Sequence, residues 1–160
     1  MAIDGVKVGV KEISPIIEET LREGNNVRLI VTGSSMYPLL TPESDSVVIR
    51  PATSVKKGDL ALFKRSNGLI VLHRVAKVKK AGFYCVGDNQ TRLEGPLSDD
   101  QILGVATTLI RDGKEINENS RTYRLYAFVW LTLRPIRRAV VAVLRKIKRI
   151  FKGKRNEKVE

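Results

Sequence analysis

Through the first 120 positions apolar residues come in short runs or alternate with polar ones, and beyond that they recur at spacings of three and four. The first pattern belongs to strands and the second to helices. Ser14-Pro15 reads as a helix N-cap followed by proline at the first helical position, with Ile16, Ile17, Thr20 and Leu21 on one face and Gly24 as the stop. This predicts a short helix over 15–23. Residues 27–32 then read as a strand that delivers the chain to Gly33, and Pro38 prevents a regular strand from continuing.

Further strands are predicted over 46–50, 60–64 and 69–76, the last two joined by Arg65-Ser66-Asn67-Gly68, whose Asn-Gly suits a tight hairpin. In the third of these Leu69, Val71, His73 and Val75 share a face. Segments 83–86 and 102–110 complete a mostly antiparallel set, and Asp112-Gly113 supplies a turn before Lys114-Glu115-Ile116. Short strands with frequent glycine turns imply a mainly β, barrel-like or coiled-sheet core rather than a βαβ fold. From Arg121 the pattern becomes helical. Ile136, Val140, Val143, Leu144, Ile147, Ile150 and Phe151 line one arc, and Arg134, Arg137, Arg138, Arg145, Lys148, Arg149 and Lys152 the other. Pro135 starts this helix or kinks it away from 123–133, which carries Trp130. The expected organisation is a β-rich domain over 1–120, led by the short helix, and a basic amphipathic helical tail over 121–160.

Charge sharpens that division. The net charge of +12 is uneven: residues 1–120 hold 16 Lys and Arg against 15 Asp and Glu, whereas 121–160 hold 13 against 2. A partner with a negative surface would therefore be met by the C-terminal segment. Its wide aliphatic arc, without interleaved stacking aromatics, suits an anionic membrane surface better than nucleic acid, the alternative being a solvated helix that packs this arc on the core. The N-terminal stretch lacks the apolar centre of a signal segment, and the longest uncharged run in the tail, 125–133, is well short of the ~20 residues that cross a bilayer. These features predict a cytoplasmic protein, peripheral at the inner face of a membrane, without a transmembrane helix.

Cys85 lies in the apolar run Phe83-Tyr84-Cys85-Val86 and reads as a buried reduced thiol. One histidine and one cysteine cannot make a soft tetrahedral metal site, and no cofactor is expected. The chemistry instead points to a serine. Gly33-Ser34-Ser35-Met36-Tyr37-Pro38 places a serine just past a strand end, and the sole histidine falls in Leu72-His73-Arg74-Val75. A carboxylate follows in Val86-Gly87-Asp88-Asn89. A serine hydroxyl attacks only when a base takes its proton and a third group orients the base, and these three segments offer all three.

The boxes resemble, in order, those of the signal-peptidase and self-cleaving-repressor superfamily. Its Gly-x-Ser-Met-x-Pro nucleophile box corresponds to Gly33 through Pro38, and a Gly-Asp-plus-strand box appears at Gly58-Asp59-Leu60-Ala61-Leu62-Phe63. The base box is His73-Arg74-Val75, the Gly-Asp-Asn box is Gly87-Asp88-Asn89, and a late Gly-x-Val strand begins at Gly104-Val105-Ala106. The resemblance covers roughly 27–112. It is to the histidine-base branch, like the endoplasmic-reticulum and sporulation-type signal peptidases, and implies Ser35 as nucleophile, His73 as general base and Asp88 as its orienting carboxylate. Signal peptidases often carry a serine where Gly33 stands, so oxyanion stabilisation would rest on backbone N–H groups around Ser35, aimed by a glycine-containing turn. Such relatives usually carry a membrane anchor, which this sequence does not display.

The function so implied is a serine endopeptidase cleaving a leader or signal-type peptide through an acyl-enzyme. A base of ordinary imidazole pKa would make kcat/KM rise through roughly pH 6 to 7.5. The alternative is a non-catalytic peptide-binding or membrane-docking module on the same fold. A self-cleaving regulator has no support, since no helix-turn-helix precedes the peptidase region. Competing residues read as structural: Asp59 as a turn carboxylate, Lys64 as a solvated strand-end lysine, and Met36 as packing beneath the serine turn.

Overall fold

The computed structural model describes residues 10–136. Helix α1 (Val10–Arg22) precedes β1 (Val27–Ile30), a 3-10 turn over Ser34–Met36, β2 (Ser46–Pro51), β3 (Leu60–Lys64), β4 (Ile70–Lys79) and β5 (Gly82–Val86). Then follow β6 (Glu94–Leu97), β7 (Ile102–Arg111), β8 (Lys114–Asn117) and α2 (Arg121–Thr132). The eight strands form one antiparallel sheet in the order β1-β2-β7-β3-β4-β5-β6, with β8 also paired to β7. The expected β-rich core, with a short helix before it and a helix after it, is what the chain forms.

The largest differences from the sequence expectation are the start of α1 and an additional strand, while β1 ends at Ile30 and β4 runs on to Lys79. Helix α1 begins at Val10, so Pro15 lies inside it and Ser14 is buried within a turn rather than capping one. The helix ends as expected: Gly24 adopts φ +88, Gly24 N–H donates to Leu21 O and Asn25 N–H to Thr20 O, the paired closure that a left-handed glycine permits. Strand β6 was not anticipated, because Glu-Gly-Pro-Leu contains the two residues least suited to a strand. It is an edge strand, where proline's missing donor is tolerated.

The sheet buries both faces. In β3, Leu60 and Leu62 enter one core with Ile17 and Leu21 of α1, Val47, Ile49, Leu109 and Tyr123 of α2. The alternate residues Ala61 and Phe63 enter a second core with Val75, Phe83, Cys85, Leu97 and Ile102. Strand β4 pairs with β3 through Leu60↔Arg74, Ala61↔His73 and Leu62↔Leu72. Because side chains alternate along a strand, His73 falls on the second-core face and Arg74 on the first. Helix α2 starts at Ser120, whose Oγ accepts from Tyr123 N–H, and it buries Tyr123 and Ala127. No helix among the described residues is long and apolar enough to cross a membrane. Beyond Ile136, the predicted basic amphipathic arc lies outside the described residues.

Candidate active site

Ser35 sits in the 3-10 turn after β1, which packs against β4. Met36, 1% exposed, pins the turn into the first core as expected, and Leu40 N–H closes on Met36 O at 3.0 Å. Gly33 has φ −102 and ψ 151, extended backbone open to any residue, and a Cβ there would meet nothing within 4 Å. The conformational freedom expected of this glycine is therefore not used. The close approach occurs at Gly87 instead, where a Cβ would lie 2.6 Å from Ser35 O and 3.1 Å from Ser35 Cβ. Asn89 completes the clamp: its N–H donates to Ser35 O at 2.8 Å and its Nδ2 to Ser34 O at 3.2 Å. The box Gly87-Asp88-Asn89 thus holds the serine turn from below, leaving Ser35 half-buried.

His73 is 2% exposed, its ring tilted against Phe63 with centroids 6.1 Å apart. Its Nδ1 is buried and makes no hydrogen bond. Glu94 Oε2, at 3.6 Å, is the carboxylate oxygen facing that nitrogen, beyond hydrogen-bond length but within ion-pair range. Burial lowers the His73 pKa to about 4; Glu94 opposes the shift, Arg65 adds to it and Asp88 opposes it. The imidazole is therefore a neutral acceptor throughout the physiological range.

Asp88, the orienting carboxylate that the resemblance implies, is paired with Arg74. Its Oδ1 and Oδ2 accept from Arg74 Nε and Nη2, both at 2.8 Å, and both side chains are fully buried. The reason is strand alternation: Arg74, adjacent to His73, points to the opposite face, and the chain leaving β5 brings Asp88 to that face. Arg74 Nη1 also donates to Gly58 O and to Tyr123 Oη, each at 3.0 Å, and its guanidinium lies 5.5 Å from the ring centroids of Tyr123 and Tyr126. Burial works against this charge, but Asp88 and Tyr123 more than offset it, so the Arg74 pKa is raised. Helix α2 is keyed to the pair. Tyr126 Oη donates to Asp88 Oδ2 at 3.3 Å, Trp130 Nε1 to Asp88 O at 3.1 Å, and Arg134 Nη2 to Thr91 O at 3.0 Å.

Glu94, the carboxylate facing His73, is a residue that the sequence reading did not single out. It opens β6, opposite Cys85 on β5, and Arg65 holds it through Nε to Oε1 and through Nη2 to Oε2 at 2.6 Å. The Arg65 hydrogen bond holds the carboxyl below its ordinary range despite partial burial. The signal lay in topology: β5 lies between β4 and β6, so Glu94 reaches the histidine's neighbourhood across two strand pairings.

The remaining candidates settle into structural parts. Lys64, expected to be solvated, is half-exposed and pairs with Glu18 of α1 at 2.8 Å. Asp59 accepts from Lys56 N–H at 2.8 Å, closing the turn before β3. Cys85 is fully buried, and burial with the nearby Glu94 pushes its thiol up to about 12, which makes it a poor nucleophile. Among the described residues no group of three or more His, Cys, Asp or Glu is placed to hold a metal ion. Beside the site runs an open cleft of about 730 Å³, lined by Arg65, the 89–93 segment, Glu94 and Gly95. It joins the carboxylate facing His73 to the asparagine that holds the serine turn.

The sequence profile of the peptidase S24-like family matches residues 4–107, a span that contains the serine turn, His73, Arg74, Asp88 and Glu94. No curated protein matches the chain.

Proposed function

We propose, from the premise that this chain belongs to the peptidase S24-like family, that it is a serine endopeptidase with Ser35 as nucleophile, His73 as general base and Glu94 as the carboxylate that orients the base. The observation that carries this reading is His73 itself, a buried neutral imidazole on the strand beneath the Ser35 turn, with a carboxylate opposite Nδ1. Ser35 Oγ attacks the scissile carbonyl carbon while the imidazole takes the hydroxyl proton. The tetrahedral oxyanion is met by backbone N–H groups of the serine turn. Collapse breaks the C–N bond, and the imidazolium returns its proton to the leaving amine. Water, deprotonated by the same imidazole, then hydrolyses the acyl-enzyme.

Glu94 faces the Nδ1–H of the neutral tautomer, which leaves Nε2 to take the serine proton, and it stabilises the imidazolium that exists only during turnover. Asp88 is assigned a positioning part: locked by Arg74, it fixes Gly87 and Asn89 under Ser35. The substrate we propose is a leader or signal-type peptide, entering the open cleft as an extended segment. A fluorophosphonate probe followed by peptide mapping tests the nucleophile. Labelling of Ser35 that is lost in Ser35→Ala and in His73→Ala supports the reading; labelling elsewhere, or peptidase activity in a folded Ser35→Ala variant, removes it.

A further inference from the structure

We propose that the outward face of α2 is a docking surface for an anionic lipid bilayer. Tyr123, Tyr126, Ala127 and Trp130 turn toward the protein, where two of them hold Asp88. The opposite side carries Leu125 at 63% exposure, Phe128 at 64%, Val129 at 41%, Leu133 at 41% and Ile136, just past the helix end, at 59%. Steps of three and four from Leu125 align Phe128, Val129 and Leu133 as a stripe along the helix, and Ile136 follows just beyond it. Large apolar side chains in one continuous exposed stripe mark a surface that is covered in use.

Charge selects the covering partner. From position 119 to 156 the sequence holds 12 Lys and Arg and no Asp or Glu. A second copy would bring the same positive segment against itself, which opposes a face-to-face dimer. A nucleic acid would gain nothing from an aliphatic stripe. A bilayer containing anionic lipid satisfies both features, since side chains such as Phe128 and Leu125 enter the acyl boundary while Arg121 and Arg124 meet headgroup phosphates. At 12 residues α2 is too short to span and lies in the interface plane. Because its inner face grips Asp88, docking fixes the serine turn at a set height above the membrane.

The test is co-sedimentation of the full chain with vesicles of phosphatidylglycerol and phosphatidylcholine, against phosphatidylcholine alone, at low and high salt. We expect binding to the anionic vesicles that weakens with salt, and a loss of at least about tenfold in affinity in Leu125→Ser/Phe128→Ser, the equivalent of about one large apolar side chain withheld from the bilayer. Both side chains are mostly solvent-exposed, so the variant keeps its fold, checked by circular dichroism. Equal binding by wild type and variant would overturn the proposal and leave attraction to the basic segment alone. A dimer in sedimentation velocity that the double substitution dissolves would overturn it in favour of self-association. Binding is read without any peptidase assay, so its outcome is independent of the catalytic reading.

Discussion

His73 and Glu94 face each other across 3.6 Å between Nδ1 and Oε2, and that imidazole nitrogen has no hydrogen bond. A carboxylate in this position fixes the tautomer that leaves the other nitrogen free to accept, and stabilises the imidazolium when it forms. Glu94→Gln should lower kcat by about 10²–10⁴-fold. The Arg65–Glu94 pair is partly exposed, so the melting temperature should shift only slightly. A folded Glu94→Gln enzyme with wild-type kcat would remove Glu94 from the machinery.

Asp88→Ala should behave in the opposite manner. The substitution strands Arg74, a fully buried guanidinium, and breaking such a pair costs about 3–5 kcal/mol. Stability and activity should fall together, as judged by denaturant unfolding beside a peptidase assay. The double replacement Arg74→Met/Asp88→Leu should recover part of the lost stability, because it leaves no buried charge behind. Loss of activity in Asp88→Ala at unchanged stability would instead return Asp88 to the catalytic chemistry.

Strands β2, β3, β5 and β7 were legible because each is a short apolar run bounded by turn residues, and the family boxes located Ser35 and His73. The shared face of Val71, His73 and Val75 also followed from alternation alone. What sequence could not supply was the fate of Arg74, since an arginine in a strand is ordinarily exposed. Its burial depends on a carboxylate fourteen residues away and on two tyrosines of a helix that packs over both. Glu94 was hidden for a related reason. Its strand carries glycine and proline, and its approach to His73 is set by sheet order rather than by spacing along the chain.

The pH dependence follows from burial. An imidazole of ordinary pKa 6.5 would place the acid limb of kcat/KM near pH 6 to 7.5, but desolvation lowers His73 to about 4. The reactive neutral form then persists to low pH, so kcat/KM should be flat from neutrality to about pH 5 and fall as pH drops through about 4. Stability changes in the same direction. Between 6.5 and 4 the unfolded histidine binds a proton that the folded one refuses, so stability is full above 6.5 and declines as pH falls through this window. An acid limb at 6.5 would show that His73 is solvated in the free enzyme.

Arg65 adjusts that limb. Its charge lowers the His73 pKa, and it occupies both oxygens of the Glu94 carboxylate. Arg65→Gln removes the cation while Glu94, Asp88 and the neutral Cys85 thiol stay in place, so the imidazolium becomes less unfavourable. The acid limb of kcat/KM should move to higher pH than in the wild type. Because Arg65 also lines the cleft, KM can change for other reasons, and the position of the limb is the diagnostic quantity. A limb that does not move, or moves to lower pH, would show that Arg65 has no electrostatic hold on the base.

Two glycines near the serine should respond differently to the same substitution. At Gly87 an added methyl meets Ser35 O at 2.6 Å and Ser35 Cβ at 3.1 Å, and the carbonyl is backbone that cannot rotate away. The serine turn must move by several tenths of an ångström, straining the bond from Asn89 N–H to Ser35 O. Displacement of a nucleophile on that scale costs about 10-fold to 10²-fold in rate, so Gly87→Ala should lower kcat far more than it lowers the melting temperature. At Gly33 an added methyl meets nothing and the backbone is already extended, so Gly33→Ala should leave both kcat and melting temperature near wild type. Measuring the two variants side by side separates the clamp from a general intolerance of the loop. If Gly33→Ala proves as damaging as Gly87→Ala, the clamp beneath Ser35 is not what positions the nucleophile.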